Sequence, residues 1–258
     1  MIKVENIRKS INGQEILKGV NLEIPTGETT AIIGRSGGGK TILLRHLVGL
    51  IKPDSGSIYV NGKDITKLSG RDLNSIKSRF GMLFQNAALF DSLTVFDNVA
   101  FPLRELMDLK EDEIRDLTLK ALAEVGLTGM ERKYPDEISG GMKKRVGLTR
   151  ELVRTPEFMF FDEPTSGLDP ITENAIHQLI KKCSSMIKCI GSECREVKCT
   201  ELIVSHNIKE VMKLANTVAM LHDGVIIEST TPENLMQSSN PVVRQFLSGS
   251  LEGPLGIY

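Results

Sequence analysis

The sequence predicts an α/β protein in which a parallel sheet is flanked by helices and interrupted by a helical segment. Short β-branched runs alternate with longer stretches of helical spacing, the pattern of parallel strands joined by helices. One run, Thr29–Ile33, has the composition of a strand that is buried on both faces. Between 86 and 155 the spacing becomes mostly helical. With 258 residues and 40% apolar residues, the chain can bury such a core.

Turn signals and apolar spacing place the individual elements. Before the helical segment we expect a turn at Asn12-Gly13, a helix from 40 to about 50, and strands at 2–7, 20–24, 29–33 and 57–60. Helical spacing then covers 96–107, 111–125 and 141–153. A short helix is expected at 242–247, and strands at 158–161, 202–204, 217–221 and 225–228.

Composition and charge argue against several classes of function. The net charge is −1, Trp is absent and aromatic residues make up 5%, so neither a basic surface nor base stacking indicates nucleic-acid binding. The N-terminus is charged and lacks the apolar segment of a secretory signal. No run approaches the ~18 apolar residues that span a bilayer. We therefore expect a cytoplasmic chain.

The cysteines are confined to one short segment. All four lie between Cys183 and Cys199, and none forms the C-x-x-C pair that is common in zinc sites. We expect reduced thiols in a cytosolic protein, with a metal or redox role as the alternative.

A glycine-rich segment after the buried strand has the G-x-x-x-x-G-K-T pattern of a phosphate-binding loop. Glycines allow successive backbone N–H groups to surround phosphate oxygens, and the positive end of the following helix favours the same anion. We expect Lys40 to reach the β- and γ-phosphates, the Thr41 hydroxyl to bind Mg²⁺, and the Ile42 N–H to serve the α-phosphate. The candidate nucleotide-binding residues here are Gly34, Arg35, Ser36, Gly37, Gly38, Gly39, Lys40, Thr41 and Ile42.

Two carboxylates, Asp162 and Glu163, end the apolar run at 158–161. A buried parallel strand delivers the residues at its C-terminal end to the crevice where ligands bind. We expect Asp162 to hold Mg²⁺ and Glu163 to polarise the water that attacks the γ-phosphate. The alternative is a strand end followed by a solvated turn. The phosphate loop earlier in the chain makes this alternative less favoured.

A second glycine-rich segment, Ser139-Gly140-Gly141-Met142, precedes a basic amphipathic helix and is also suited to an anion. With this segment the chain resembles the ABC transporter ATPases over nearly its whole length. SGGM resembles their signature motif, GRSGGGKT their Walker A motif, and FMFFDEPTSGLD their Walker B motif and D-loop. Gln85 in GMLFQ matches their Q-loop, and His206 in IVSHN matches their switch histidine.

The resemblance implies a P-loop NTPase fold with a RecA-like parallel sheet core, an antiparallel β subdomain and an inserted helical subdomain. It implies an ATPase domain at 1–250, with the helical subdomain at about 86–155, and ATP and Mg²⁺ as cofactors bound between two copies of the chain. Catalytic candidates are then Glu163, His206, Lys40 and Gln85, and Mg²⁺ candidates are Thr41, Gln85 and Asp162.

By the same resemblance, Ser139, Gly140 and Gly141 would contact the γ-phosphate bound by the other subunit, and Asp169 would cross the dimer interface. His206 would contact the γ-phosphate. Two positions depart from the family pattern. Met142 replaces the usual final Gln of the signature, and Ile11 stands where an aromatic residue normally stacks on adenine, which leaves base selectivity open.

The stretch from Phe84 to Val99, with Asn98–Glu105, is similar to the ATPases of Mla/Mce-type lipid transporters. That similarity implies a phospholipid cargo, a lipid-binding Mce-domain partner and a place on the inner face of the cell membrane. It also implies that a membrane permease docks in a groove near Gln85–Phe90 and that the extension 241–258 reaches the partner subunit. The alternative is a generic apolar groove for any permease. The Cys183–Cys199 segment fits the family poorly and is interpreted as a surface insertion.

Two other functions stay open. An importer ATPase for a polar solute, such as an amino acid, would share all of the chemistry. A soluble ABC ATPase that acts on ribosomes or DNA is disfavoured, because the sequence has one cassette, no sustained heptads and no basic excess.

Overall fold

Two units make up the chain. The first consists of Met1–Lys77 with Thr200–Tyr258, and the second of Ser78–Cys199. The computed structural model describes residues 1–184, 186–190 and 193–256, with the backbone alone at 186–190 and 193–197. The expected domain bounds, 1–250 with a helical subdomain at 86–155 and an extension at 241–258, stay a prediction.

The strands (β) and helices (α) are numbered in chain order. Up to Lys77 they are β1 (Ile2–Ile11), β2 (Gln14–Ile24), β3 (Thr29–Ile33), α1 (Lys40–Leu47), β4 (Ser55–Val60), β5 (Lys63–Asp64) and α2 (Gly70–Lys77). The second unit contains β6 (Phe80–Leu83), α3 (Val95–Leu106), α4 (Glu111–Glu124), α5 (Gly140–Leu152), β7 (Phe158–Asp162), α6 (Pro170–Cys183), β8 (Met186–Ile190) and β9 (Glu193–Val197). The first unit resumes with β10 (Thr200–Val204), α7 (Ile208–Leu214), β11 (Thr217–His222), β12 (Val225–Thr230), α8 (Pro232–Met236) and α9 (Pro241–Ser248).

The first unit contains an antiparallel sheet and a set of mainly parallel strands. The antiparallel sheet has the order β2-β1-β4-β5. Strand β3 pairs in parallel with β10 and with β11, and β12 returns antiparallel to β11. Every residue of β3 is buried, which confirms the prediction from its apolar composition. Asn12 and Gly13, with φ of 51° and 79°, form the predicted turn between β1 and β2.

The second unit combines a parallel strand pair with helices. Strands β6 and β7 pair in parallel, and all positions of β7 are buried. Helices α3, α4 and α5 begin and end within one residue of the predicted bounds. Their buried side chains form an apolar cluster around Val95, Val99, Leu122 and Val146. Strands β8 and β9 form an antiparallel hairpin inside the segment interpreted as an insertion.

Some predicted bounds were wrong, and each error has a local reason. Strand β2 begins at Gln14 rather than at 20, because polar residues before Val20 pair with β1 (Ser10 opposite Glu15). Helix α1 ends at Leu47 rather than near 50, because Gly49 adopts a φ of 66° and turns the chain. Strands β5 and β6 and helices α2, α7 and α8 were missed because each is short. Helix α6 was also missed, although Ile176, Ile180 and Cys183 form a buried apolar stripe along it.

Among the described residues, no helix is both long and apolar enough to cross a membrane, and no group of three His, Cys, Asp or Glu residues could hold a metal ion. Cys183 and Cys199 are both buried. The Cys183 Sγ donates a hydrogen bond to the carbonyl of Leu179 at 3.0 Å. The side chains of the other two cysteines lie outside the described residues.

Candidate functional site

The glycine-rich loop joins β3 to α1, and its backbone requires glycine at defined points. Gly34 has a φ of +146°, and a Cβ atom there would collide with the carbonyl oxygen of Leu221. Gly37 and Gly39 have φ of +75° and +94°, which L side chains rarely adopt. The loop therefore presents backbone at the N-terminus of α1, where the helix dipole favours an anion.

The side chain of Lys40 lies against this loop. It is 6% exposed, and its ammonium group donates to the carbonyls of Gly34 at 2.7 Å and Arg35 at 2.9 Å. The Gly38 N–H also donates to the Arg35 carbonyl, at 3.1 Å. A positive charge is thus held at the same place as the positive end of the helix.

The other candidates in this region differ in exposure. Thr41 and Ile42 are half-buried on α1, and Ser36 is exposed in the loop. Ile11 is 37% exposed at the end of β1, where it pairs with Gln14. Its contact with a nucleotide base stays a prediction.

His206 follows β10, and a buried hydrogen bond beside it holds the backbone in place. The Ser205 hydroxyl donates to the Glu210 carboxylate at 2.5 Å, and both residues are buried. The Ser205 N–H donates to the carbonyl of Ile32 at 3.1 Å. Because Ile32 belongs to the strand that leads into Gly34, the first unit places the His206 segment beside the base of the phosphate loop. His206 itself is exposed.

In the second unit, Asp162 and Glu163 lie at the C-terminal end of β7. Asp162 is 6% exposed, and Glu163 is half-buried with a φ of +49°. Lys144, which is 6% exposed on α5, donates to the Glu163 carbonyl at 3.3 Å and to the Ser166 carbonyl at 2.8 Å. A buried cation therefore ties the helix that follows SGGM to the loop that carries both carboxylates.

The SGGM segment forms the N-terminus of α5. Ser139 is the N-cap residue, and its hydroxyl accepts a hydrogen bond from the Met142 N–H at 3.3 Å. A Cβ atom at Gly141 would collide with the side chain of Thr172 on α6. The Met142 side chain packs against the apolar cluster that contains Val146. The predicted contact of Met142 with a nucleotide stays a prediction.

Three of the predicted motifs line one cavity within the second unit. The cavity has a volume of about 470 Å³. Its walls come from the Q-loop, the start of α5 and the D-loop, and comprise Gln85, Asn86, Ala87, Gly140, Lys143, Lys144, Ser166, Gly167 and Leu168.

The backbone after Gln85 is strained and is held by one arginine. Ala87 and Ala88 have φ of 60° and 44°, in the left-handed region that disfavours residues with a Cβ atom. Arg150 on α5 is 7% exposed and donates to the carbonyls of Ala88 at 2.8 Å and Ala87 at 3.2 Å. Its guanidinium also lies 5.9 Å from the ring centre of Phe90.

An exposed aromatic pair follows, which we call the Phe90 patch: Phe90 and Phe101, 45% and 39% exposed, with ring centres 4.9 Å apart. The fully buried Asn98 fixes its backbone, accepting from the Phe90 N–H at 2.8 Å and donating to the Phe90 carbonyl at 3.1 Å. An amide bonded in this way holds an apolar surface in one position.

Asp169 has an intrachain role that the sequence analysis missed. It is the N-cap of α6, and its carboxylate accepts from the N–H groups of Ile171 at 3.0 Å and Thr172 at 3.1 Å. The Thr172 hydroxyl donates to the same carboxylate at 2.6 Å, and these bonds hold the pKa of Asp169 below its ordinary value. Its predicted contact across a dimer interface stays a prediction.

Lys144, Arg150, Asn98 and Glu210 were not identified as functional candidates. Lys144 lies in a run of basic residues, a pattern that is typical of a solvated helix face. Arg150 lies near the C-terminal end of the same helix. Asp-Pro at 169–170 is a helix-start signal that could have identified the capping role of Asp169.

Sequence comparisons place the chain near transport ATPases. Residues 17–166 match the protein family described as ABC transporter. A Mycobacterium tuberculosis protein named "Probable ribonucleotide transport ATP-binding protein mkl" is 43% identical over 99% of this chain and 68% of its own length. A Haemophilus influenzae protein, "Intermembrane phospholipid transport system ATP-binding protein MlaF", is 39% identical over 99% of this chain and 93% of its own length.

Solved structures agree with the fold. The ATP-binding cassette MJ0796, in a dimeric post-hydrolysis state bound to ADP and Pi, superposes with a TM-score of 0.78 and 29% identity, covering 90% of this chain and 99% of that one. The cbiO1 protein of Clostridium perfringens, part of the ABC transporter complex cbiONQ, has a TM-score of 0.77 and 30% identity, covering 95% and 94%.

Proposed function

The chain belongs to the ABC transporter family as an ATPase, and from that premise we propose that it powers phospholipid movement by a membrane complex. The observation that carries the proposal is the 39% identity to MlaF over 99% of this chain and 93% of that protein. A match across almost the whole of both chains covers more than the shared ATPase motifs. It includes the Q-loop segment and the Phe90 patch, which are the parts suited to a specific membrane partner.

In this proposal two copies bind two ATP molecules, and each site uses the phosphate loop of one copy and the SGGM segment of the other. Two features of the chain support this arrangement. Both segments are glycine-rich helix N-termini with backbone donors, so one chain carries two anion sites for one triphosphate. The structurally similar cassette MJ0796 is described as a dimer.

We assign roles to the remaining candidates from their chemistry. Glu163 acts as the general base for the attacking water, and Lys40 and His206 stabilise charge on the γ-phosphate. Mg²⁺ fits the residues present, because the Thr41 hydroxyl, the Gln85 amide and the Asp162 carboxylate are hard oxygen donors. When bound, Mg²⁺ would neutralise charge on the phosphates.

The Phe90 patch is the proposed contact for a membrane permease on the inner face of the membrane. Exposed aromatic side chains on a rigid backbone suit an apolar segment of a partner. Arg150 and Asn98 supply that rigidity. A lipid-binding Mce-domain protein completes the proposed complex.

The test is purification of the tagged chain from its own membranes in mild detergent, followed by lipid analysis and reconstitution into liposomes. We expect bound phospholipid and ATP-dependent transfer of a fluorescent phospholipid, which Glu163→Gln abolishes. A complex that hydrolyses ATP without moving or retaining phospholipid would contradict the lipid assignment and leave the ATPase assignment intact.

A second candidate substrate is a ribonucleotide, since the M. tuberculosis relative is named for ribonucleotide transport and is 43% identical. The same liposomes, loaded with radiolabelled ribonucleotides, distinguish the two. Ribonucleotide transport with no phospholipid transfer would favour this candidate.

A further inference from the structure

The C-terminal tail, residues 249–256, follows a helix that packs on the strand leading to the phosphate loop. Val243 of α9 is fully buried in a cluster with Ala31 and Ile33 of β3. Ile33 is the last residue of β3 and immediately precedes Gly34. The tail therefore starts from a fixed point close to the loop.

One buried side chain organises the tail. Gln245 on α9 is 7% exposed, its Nε2 donates to the Ser250 carbonyl at 3.1 Å, and its Oε1 accepts from the Leu255 N–H at 2.7 Å. A single amide thus fixes both ends of the turn. Gly253, with a φ of +144°, closes over the same amide, and a Cβ atom there would collide with it.

From this position the tail contacts the phosphate loop. The Arg35 guanidinium donates to the Leu255 carbonyl at 2.6 Å. The backbone carbonyl of Arg35 accepts from Lys40 Nζ at 2.9 Å and from the Gly38 N–H at 3.1 Å. The residue held by the tail therefore accepts two of the hydrogen bonds that shape the loop, and a third goes from Lys40 to the neighbouring Gly34 carbonyl.

We propose that the tail acts as a strap that orders the phosphate loop, and that Gln245 is its positioning residue. A loop that is already ordered loses less conformational entropy when it binds a ligand, so the strap raises affinity for nucleotide. The inference rests on the proposed phosphate-binding role of residues 34–41. The Arg35–Leu255 hydrogen bond is exposed to solvent, so its loss should weaken binding by roughly three- to tenfold.

Gln245→Ala in the full chain is the direct test, beside a truncation after Gly249 that keeps α9 and its cap. Both should raise the Kd for ATP by roughly three- to tenfold and leave kcat unchanged. Adding Arg35→Ala to either should weaken binding no further than Arg35→Ala alone, because all three remove the same contact. Gln237→Ala, at an exposed glutamine after α8, is the matched control and should bind ATP like the wild type.

Amide hydrogen exchange measured without nucleotide tests whether the strap orders the loop, independently of the stability of the fold and of ATP binding. Exchange at residues 34–39 should be faster in Gln245→Ala and in the truncated chain, while Tm stays near that of the wild type. This readout does not require ATP binding, so it holds even if the proposed function fails. Unchanged exchange and unchanged ATP affinity in the truncated chain would overturn the strap. Tighter ATP binding in the truncated chain would also overturn it, because the tail would then weaken nucleotide binding in the wild type.

Discussion

Glu163, the proposed general base, has an unusual backbone conformation. Its φ of +49° lies in the left-handed region, which costs a residue with a Cβ atom roughly 1–2 kcal/mol. Its carbonyl accepts from Lys144 Nζ and from the Ser166 N–H, and these contacts maintain the conformation. Strain of this kind concentrates at functional sites, where it aims a side chain at a ligand.

Glu163→Gln tests this residue, because glutamine keeps the shape and the backbone preference while it removes the base. We expect hydrolysis to fall by roughly 10²–10⁴-fold while ATP binding is retained. Phosphate release and equilibrium binding of labelled ATP measure the two effects. Glu233→Gln, the same change at an exposed position, should leave the rate unchanged. Loss of ATP binding in Glu163→Gln would instead indicate a binding role.

Sequence alone could identify residues whose chemistry and spacing are local. Lys40, Asp162 and Glu163 stand in short motifs next to a recognisable strand, so their positions are readable. Arg35 and Leu255 lie 220 residues apart, and nothing in either neighbourhood indicates that they touch. Arg150 could not be distinguished from a solvated helix residue, since its burial depends on the Q-loop packing over it.

At the scale of elements, α5 links the proposed γ-phosphate contact to the proposed permease contact within one unit. Ser139 begins this helix, Lys144 reaches the Glu163 loop, and Arg150 near its end holds the Ala87–Ala88 backbone. A rigid helix with these contacts would move the Q-loop when its N-terminus moves.

Arg150→Gln removes both hydrogen bonds to the Ala87 and Ala88 carbonyls. We expect ATP hydrolysis to fall by roughly tenfold, since charged hydrogen bonds contribute about 1.5–3 kcal/mol and the freed backbone displaces Gln85. Ala88→Gly in the same background should restore part of the rate, because glycine adopts a positive φ without strain.

The matched control for Arg150→Gln is Arg145→Gln on the same helix, whose guanidinium donates to the Val125 carbonyl at 2.9 Å, away from the Q-loop. It should lower Tm without the same loss of hydrolysis. Full activity in Arg150→Gln, or no rescue by Ala88→Gly, would refute a role in shaping the Q-loop.

The start of α3 gives a pH-dependent prediction. The Thr94 hydroxyl donates to Asp97 at 2.6 Å, and Arg104 joins Asp97 to Glu111 on α4. The Thr94 hydrogen bond, with Arg104, holds the pKa of Asp97 below its ordinary value of 3.8. The stabilisation is therefore present above that value and is lost as pH falls through the lower pKa of the folded protein.

Asp97→Asn should lower the free energy of unfolding by about 1 kcal/mol at pH 7. The difference in free energy of unfolding between the variant and the wild type should shrink as the pH falls below 3.8, the ordinary pKa of the Asp97 carboxyl group. Urea unfolding at a series of pH values measures it. A difference that stays constant down to acid pH would show that the aspartate charge contributes nothing.

At the scale of the whole molecule, the order of motifs along the chain identified the family, and the alternation of β-branched runs with helical stretches predicted the parallel strands. Five motifs in one order constrain a fold far more than any single one. The short helices α2, α7 and α8 and the path of the tail could not be predicted, because tertiary contacts rather than local propensity decide them. The short helix α9, predicted at 242–247, lies at Pro241–Ser248.

The proposed dimer predicts complementation between two inactive chains. Lys40→Ala removes the phosphate-loop cation, and Ser139→Arg blocks the SGGM segment, so each alone should hydrolyse almost no ATP. A mixed dimer contains one site built from the intact Lys40 of one chain and the intact Ser139 of the other. We expect mixing to restore hydrolysis, measured as phosphate release against protein concentration.

The decisive outcome is what happens on mixing. If each ATP site lay within a single chain, mixing would not restore hydrolysis. That result would refute the shared site. An ATP-loaded Glu163→Gln chain that stays monomeric beside its membrane partner would refute it as well.

The collision that awaits any side chain at Gly141 has a consequence for genetics. Thr172 occupies the space beside that glycine within the same polypeptide, so a missense allele at 141 damages helix packing before ATP is involved. A null phenotype from such an allele would reflect protein abundance as much as mechanism. Glu163→Gln is the sounder choice for a dominant-negative allele, since it leaves this packing untouched.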